Sequence, residues 1–199
     1  MFMNSQFNTR LIATIALTLV PAATMWGGTL SGKVSGGKGP AVVYIEAVAG
    51  KTFPAPTQKS MVDQKGLQFV PHVMAVPMKT TVEFQNSDDV AHNIFWPAIS
   101  GNKKLGHNLG TWPEGQKREF MFDHAGVVPL LCNVHPEMSG YLIVTPTPYF
   151  SVTGGDGAYK IADLPDGQYT VSVWREGMKV QSKQVKVEGN TSADVALSN

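Results

Sequence analysis

The chain of 199 residues has one cysteine, Cys132, and so cannot close a disulfide within itself. It also lacks an excess of charge: 16 Lys and Arg stand against 15 Asp and Glu. Without a basic face there is nothing to displace counterions from phosphates, which argues against a nucleic-acid partner. Long apolar runs are scarce. The one from Leu11 to Val20 is about ten residues, too short to cross roughly 30 Å of hydrocarbon as a helix. Beyond it no ten-residue stretch carries a helical stripe, which excludes a helical bundle and a βαβ protein.

What is present at the amino terminus is Arg10, the short apolar run, and then Pro21, Ala22 and Ala23. That order reads as a secretory signal peptide over residues 1–24, cleaved near 22–24. An anchor that stays attached is the alternative. Either way the folded part is expected outside the cytoplasm, periplasmic or secreted, with no stable membrane insertion of its own. An oxidising compartment makes an unpaired thiol a liability unless burial or a metal protects it.

From residue 28 onward 43% apolar content overall is spread over short β-branched and aromatic runs. They fall at 41–48, 67–76, 80–86, 117–123, 127–131 and 141–145, separated by Gly, Pro, Asn and Asp. The pattern predicts an all-β protein of packed antiparallel sheets. Residues 50–65 read as an irregular excursion. Pro146 and Pro148 in TPTPY interrupt the ladder and place a boundary there, giving a first unit over 28–146 and a small β-sandwich over 149–199 with Asp-Gly turns at 156–157 and 166–167. Fifty residues bury little, so the second unit is expected to pack against the first.

The densest chemistry lies in CNVHPEM. Cys132, His135 and Met138 supply a thiolate, an imidazole and a thioether within seven residues. Copper held by two imidazoles and a thiolate, with a weak axial thioether, needs these ligand types plus a second histidine. His92, in AHNIFW at the end of a strand pattern, is the candidate, 40 residues upstream of Cys132. Glu137 could instead offer an axial oxygen. Alone, Cys132 reads as a small buried hydrophobe; the spacing of the others turns that reading toward metal.

TTVEFQNSDDVAHNIFW and CNVHPEM resemble the cupredoxins, the blue copper family of plastocyanin, amicyanin and pseudoazurin, over residues 67–145, and only loosely over 28–66. The resemblance implies a Greek-key β-sandwich and one type 1 copper ion. It makes His92, Cys132 and His135 the equatorial ligands and Met138 the axial one, and it implies that the backbone amide of Asn93 hydrogen-bonds the cysteine sulfur. One departure is VPMKTTVEF, where many relatives put glycine in the turn before the strand. The tail GAYKIADLPDGQYTVSVWRE resembles the small carboxypeptidase-regulatory-like or transthyretin-like β-sandwich.

Such a site has no vacant strong position, so the expected chemistry is single-electron transfer between Cu(I) and Cu(II). The resemblance implies His135 as the exit, through an apolar patch that Val134, Pro136, Trp96 and Pro97 would supply. The expected partner is a redox protein, a cytochrome or dehydrogenase, met transiently. Oxidases and copper nitrite reductases need further histidines in H-x-H or H-C-H pairs, and none occurs, so the chain is not expected to be an enzyme by itself. An interfacial site between copies stays open. Two other readings are periplasmic copper binding and delivery without a redox partner, and a non-redox interaction protein with structural copper. His72, His107 and His124 are expected to serve as packed or surface imidazoles, His124 roughly 20 Å from the metal along its strand.

Overall fold

The computed structural model describes residues 27–198, with Met1 alone before them; the signal-peptide segment therefore lies outside the described residues. Among these residues there are no α-helices, one 3-10 turn at Lys103–Leu105, and seventeen strands. In chain order they are β1 (Gly28–Ser35), β2 (Ala41–Ile45), β3 (Ser60–Gln64), β4 (Phe69–Val70), β5 (Val73–Pro77), β6 (Thr80–Asn86), β7 (His92–Trp96), β8 (His107–Trp112) and β9 (Lys117–Phe122). Then come β10 (Gly126–Leu131), β11 (Ser139–Thr145), β12 (Phe150–Val152), β13 (Ala158–Leu164), β14 (Gly167–Arg175), β15 (Gln181–Val187), β16 (Asn190–Ser192) and β17 (Val195–Ala196).

Two β-sandwiches result. The first faces a sheet in the order β4-β3-β6-β9 against one in the order β5-β11-β10-β7-β8. Strand β6 shows why: Thr80, Val82, Phe84 and Asn86 are buried while the residues between them are only partly covered, the period of two that a half-buried strand demands. Phe84, Trp96, Trp112, Phe122, Leu130 and Leu142 fill the space between the sheets. The expected run 67–76 is broken at Pro71 into β4 and β5, because proline cannot donate to the ladder.

The second sandwich sets β12-β2-β14-β15 against β13-β1-β16, with β17 also on β1, around Leu30, Val43, Ile45, Ile161, Val171 and Val187. Here the strand pairing departs from the grouping read in the sequence. Strands β1 and β2, placed there with the first unit, pair with β13, β16 and β17 and with β12 and β14. Residues 28–45 thus complete the carboxy-terminal sandwich. Alternation tells which face of a strand is buried but not which distant strand it pairs with.

The two sandwiches meet face to face. In β2, Val43 and Ile45 point into the second core while Val42 joins a seam with Val73, Ile143 and Trp174, flanked by Tyr44, Ala75, Val127 and Tyr141. That double burial explains why β2, β11 and β14 are apolar on both faces. Covering Ile143 or Trp174 in the seam contributes about 2–3 kcal/mol each before entropy is charged. Between the sandwiches TPTPY is ordered: Thr147 Oγ1 donates to the Ile45 carbonyl at 2.7 Å and Thr145 Oγ1 to that of Thr147 at 2.8 Å.

Candidate metal centre

One end of the first sandwich collects the candidate donors. Strands β10 and β11 form a hairpin that closes at the pair Leu131 and Ser139, and residues 132–138 are its loop. Strand β7 runs beside β10 with Phe95 opposite Leu131. An antiparallel step from there brings His92 and Asn93 to the same end as Cys132.

His92, Cys132 and His135 place one ligand atom each within 4.8 Å of one another. His92 is fully buried, Cys132 nearly so, and His135 half-buried. The two imidazoles present Nδ1 to Nδ1 at 3.0 Å, with ring centroids 4.7 Å apart. Two nitrogens bound to one ion at about 2.0–2.1 Å and tetrahedral-like angles lie a little over 3 Å apart, so the spacing fits a shared cation. The donor set, two imidazoles and a thiolate, suits copper or zinc and not a hard oxygen-seeking ion.

The candidate donors are held from behind. His92 Nε2 meets Asp88 Oδ2 at 2.8 Å, which turns Nδ1 toward the cluster. Asp88 in turn accepts the amides of Gly66 at 2.6 Å and Leu67 at 3.0 Å. Burial alone would raise the Asp88 carboxyl; the Leu67 and Gly66 amides and the His92 imidazole outweigh it and hold it below its ordinary value. Asn86 completes this corner, accepting from the Asp88 amide at 3.0 Å and donating to the carbonyls of Val90 and Trp112.

The sulfur of Cys132 faces two backbone amides, Asn93 and His135, each at 3.4 Å. Amides aimed at the sulfur fix its position between the two segments. A register shift between Asn93 and Phe95 interrupts the β7–β8 ladder there, the kind of irregularity that re-aims a residue. The Asn93 side chain ties three segments: Oδ1 accepts from the Asn133 amide at 3.2 Å, and Nδ2 donates to Asn108 Oδ1 at 2.9 Å and the Gly110 carbonyl at 2.7 Å. Met138 is buried among the same side chains as Cys132, and its amide donates to the His135 carbonyl at 3.0 Å. Glu137 is exposed and is not among the grouped donors.

No family model matches the chain, and no curated protein is similar to it. Among solved structures it is similar to a Cu(I) form of an amicyanin variant, at 21% identity and a TM-score of 0.40, over 43% of this chain and 81% of that one. It is also similar to a purple cupredoxin from Nitrosopumilus maritimus, at 24% identity and a TM-score of 0.39, over 44% of this chain and 100% of that one. A third likeness is to a copper-containing nitrite reductase from Thermus scotoductus SA-01, at 26% identity and a TM-score of 0.41, over 50% of this chain and 25% of that one. The assignment of the fold rests on the strand pairing above.

The remaining histidines stand apart from the cluster. His107 pairs with Trp96 at the opposite end of β7 and lies over the rings of Trp96 and Phe120. His124 is exposed beside Asp123, 2.6 Å away. His72 contacts Ser139 and Glu176. Trp96 differs from expectation: it is 1% exposed, and four residues of extended chain at about 3.3 Å each carry it away from His92, so it is no part of a surface patch at the ligand end. The exposed apolar residues tied to that end are Val134, Val90 and Leu67, the last through its amide on Asp88. Sequence reasoning missed Asp88, Asn108 and Gly110. For Asp88 a signal existed, since a carboxylate four residues before a histidine ligand is a common orienting partner.

Proposed function

We propose that this chain is a type 1 copper protein, periplasmic or secreted, that carries single electrons between redox partners and is not itself an enzyme. The observation that carries the reading is the buried His92, Cys132 and His135 cluster with two backbone amides on the sulfur. Bound there, one copper ion would supply a one-electron Cu(I)/Cu(II) couple. The chain's residues do the rest. Asp88 and Asn93 keep the donors in place whichever oxidation state is present, so little rearrangement accompanies a transfer. Met138, buried in the same core cluster as Cys132, is the axial candidate, and the covered interior keeps water from the sulfur. Half-buried His135, with Val134 exposed beside it in the chain and Val90 exposed two residues before His92, supports a small apolar docking rim for a transient partner such as a cytochrome or dehydrogenase. The second sandwich we assign, on its tail motif, to the carboxypeptidase-regulatory-like type.

Copper delivery is the second reading, favoured by the exposure of Asn133, Val134, Pro136 and Glu137 in the ligand loop. The test is the visible and electron paramagnetic resonance spectrum of the mature protein loaded with Cu(II), beside Cys132→Ser. An intense thiolate-to-copper band with narrow hyperfine splitting, both lost in the variant, is expected; ordinary copper signals indifferent to the substitution would overturn the reading. Rapid exchange of Cu(I) to a chelator would favour delivery over electron transfer.

A further inference from the structure

The ligand loop ends at Ser139, and its carbonyl has a partner outside the first sandwich's own ladders. His72, on the connection between β4 and β5, approaches that carbonyl with Nδ1 at 3.1 Å. Its other nitrogen, Nε2, lies 2.8 Å from Glu176 Oε2. Glu176 belongs to the second sandwich, in the turn between β14 and β15. A carbonyl and a carboxylate only accept, so the imidazole is the donor in each of these bonds that it makes.

The surroundings hold His72 in this place. Its own carbonyl accepts the Tyr141 amide at 2.8 Å, and its ring stands edge-on to Tyr141, centroids 5.8 Å apart. Tyr141 in turn packs on Trp174 of the seam at 5.0 Å. Gly140 leaves no slack: a Cβ there would come within 3.1 Å of the His72 carbonyl and 3.0 Å of Phe69 Cβ. The residue after Met138 is therefore clamped between a strand neighbour and a side chain anchored on the other sandwich.

We infer that His72 is a positioning residue for the metal centre, through which Glu176 of the second sandwich braces the Met138 end of the ligand loop. The inference rests on the copper reading for its purpose, while the brace itself consists of the two His72 contacts. It gives the second sandwich a role in the first one's chemistry: setting how firmly the axial end of the loop is held. Both side chains are nearly half exposed, so water competes for each bond and the effect is modest.

The test uses the mature full-length chain as His72→Phe, Glu176→Ala, the double variant, and Glu176→Gln, which keeps an accepting oxygen. In the copper-free protein, amide exchange across residues 138–141 is measured. Each single variant is expected to accelerate it roughly two- to tenfold, the worth of one hydrogen bond. The double variant should go no further than the singles, and Glu176→Gln should recover most of the protection. With copper bound, release to a chelator should quicken by a similar factor, and the thiolate band should shift in His72→Phe and Glu176→Ala alike. Wild-type exchange in the single variants, or effects that add in the double, would overturn the brace. Faster exchange with unchanged spectrum and copper release would reduce it to a structural contact and overturn the positioning role. If the wild-type protein shows no Cys132-dependent copper band, the proposed function fails, while the exchange data still decide the brace.

Discussion

The two ends of β7 both carry an imidazole against a large buried neighbour, yet they differ in kind. At one end His92 is fully buried, oriented by Asp88 and facing His135 and Cys132. At the other, His107 lies exposed over Trp96 and Phe120, and the nearby Asp123 carboxylate is paired with His124 instead. A buried imidazole needs both nitrogens satisfied, one by the protein and one by whatever the site holds. An exposed imidazole leaves that to water. The comparison teaches that a ligand histidine is recognised by what fixes its far nitrogen, a relation between chain segments and not a property of the residue.

The largest effect is expected where that comparison is broken outright. His92→Ala removes a donor atom and strands Asp88 without its imidazole partner. Copper binding should be lost, and the metal-free protein should be destabilised by about 3 kcal/mol, read from urea unfolding of the copper-free form. A midpoint within error of wild type would show that the buried pair holds nothing.

Next comes Asn93→Ala, which leaves the backbone amide on Cys132 but cuts the ties to Asn108, Gly110 and Asn133. Loss of about 2 kcal/mol is expected, together with a broadened copper hyperfine pattern as the two ligand segments loosen. Retained stability would mean that the β7 and β10 ladder alone sets the site.

A smaller change, of opposite sign, sharpens the role of the turn before β6. Lys79 sits at φ 67°, a region that costs a residue with a Cβ. Lys79→Gly should stabilise the fold by about 1 kcal/mol, seen as a raised thermal midpoint, with the copper spectrum unchanged.

The smallest effect belongs to the far end. His107→Ala removes one ring from the Trp96 and Phe120 stack and should cost under about 1 kcal/mol, with copper affinity as in wild type. Weaker copper binding in this variant would refute the division between the two ends.

Much of this was legible in the residues. Alternation in TTVEFQN announced β6 with its buried face, and CNVHPEM announced two of the three grouped donors, Cys132 and His135, by type and spacing. The strand β8, by contrast, falls between the expected runs 80–86 and 117–123, because its burial is slight and its pairing with β7 is supplied by the partner strand. Similarly β3 lies within residues that read as irregular, and its parallel pairing with β6 and antiparallel pairing with β4 make it a strand.

By itself the sequence determined the class of the fold, all-β, and the kinds of donor atom available, since both depend on local periodicity and side-chain chemistry. The tertiary structure alone decided that β1 and β2 complete the carboxy-terminal sandwich, that Asp88 orients His92, and that Glu176 reaches the ligand loop through His72. Such pairings join residues distant in the chain. They follow from which apolar faces bury one another best, a comparison among all the strands that no local stretch contains.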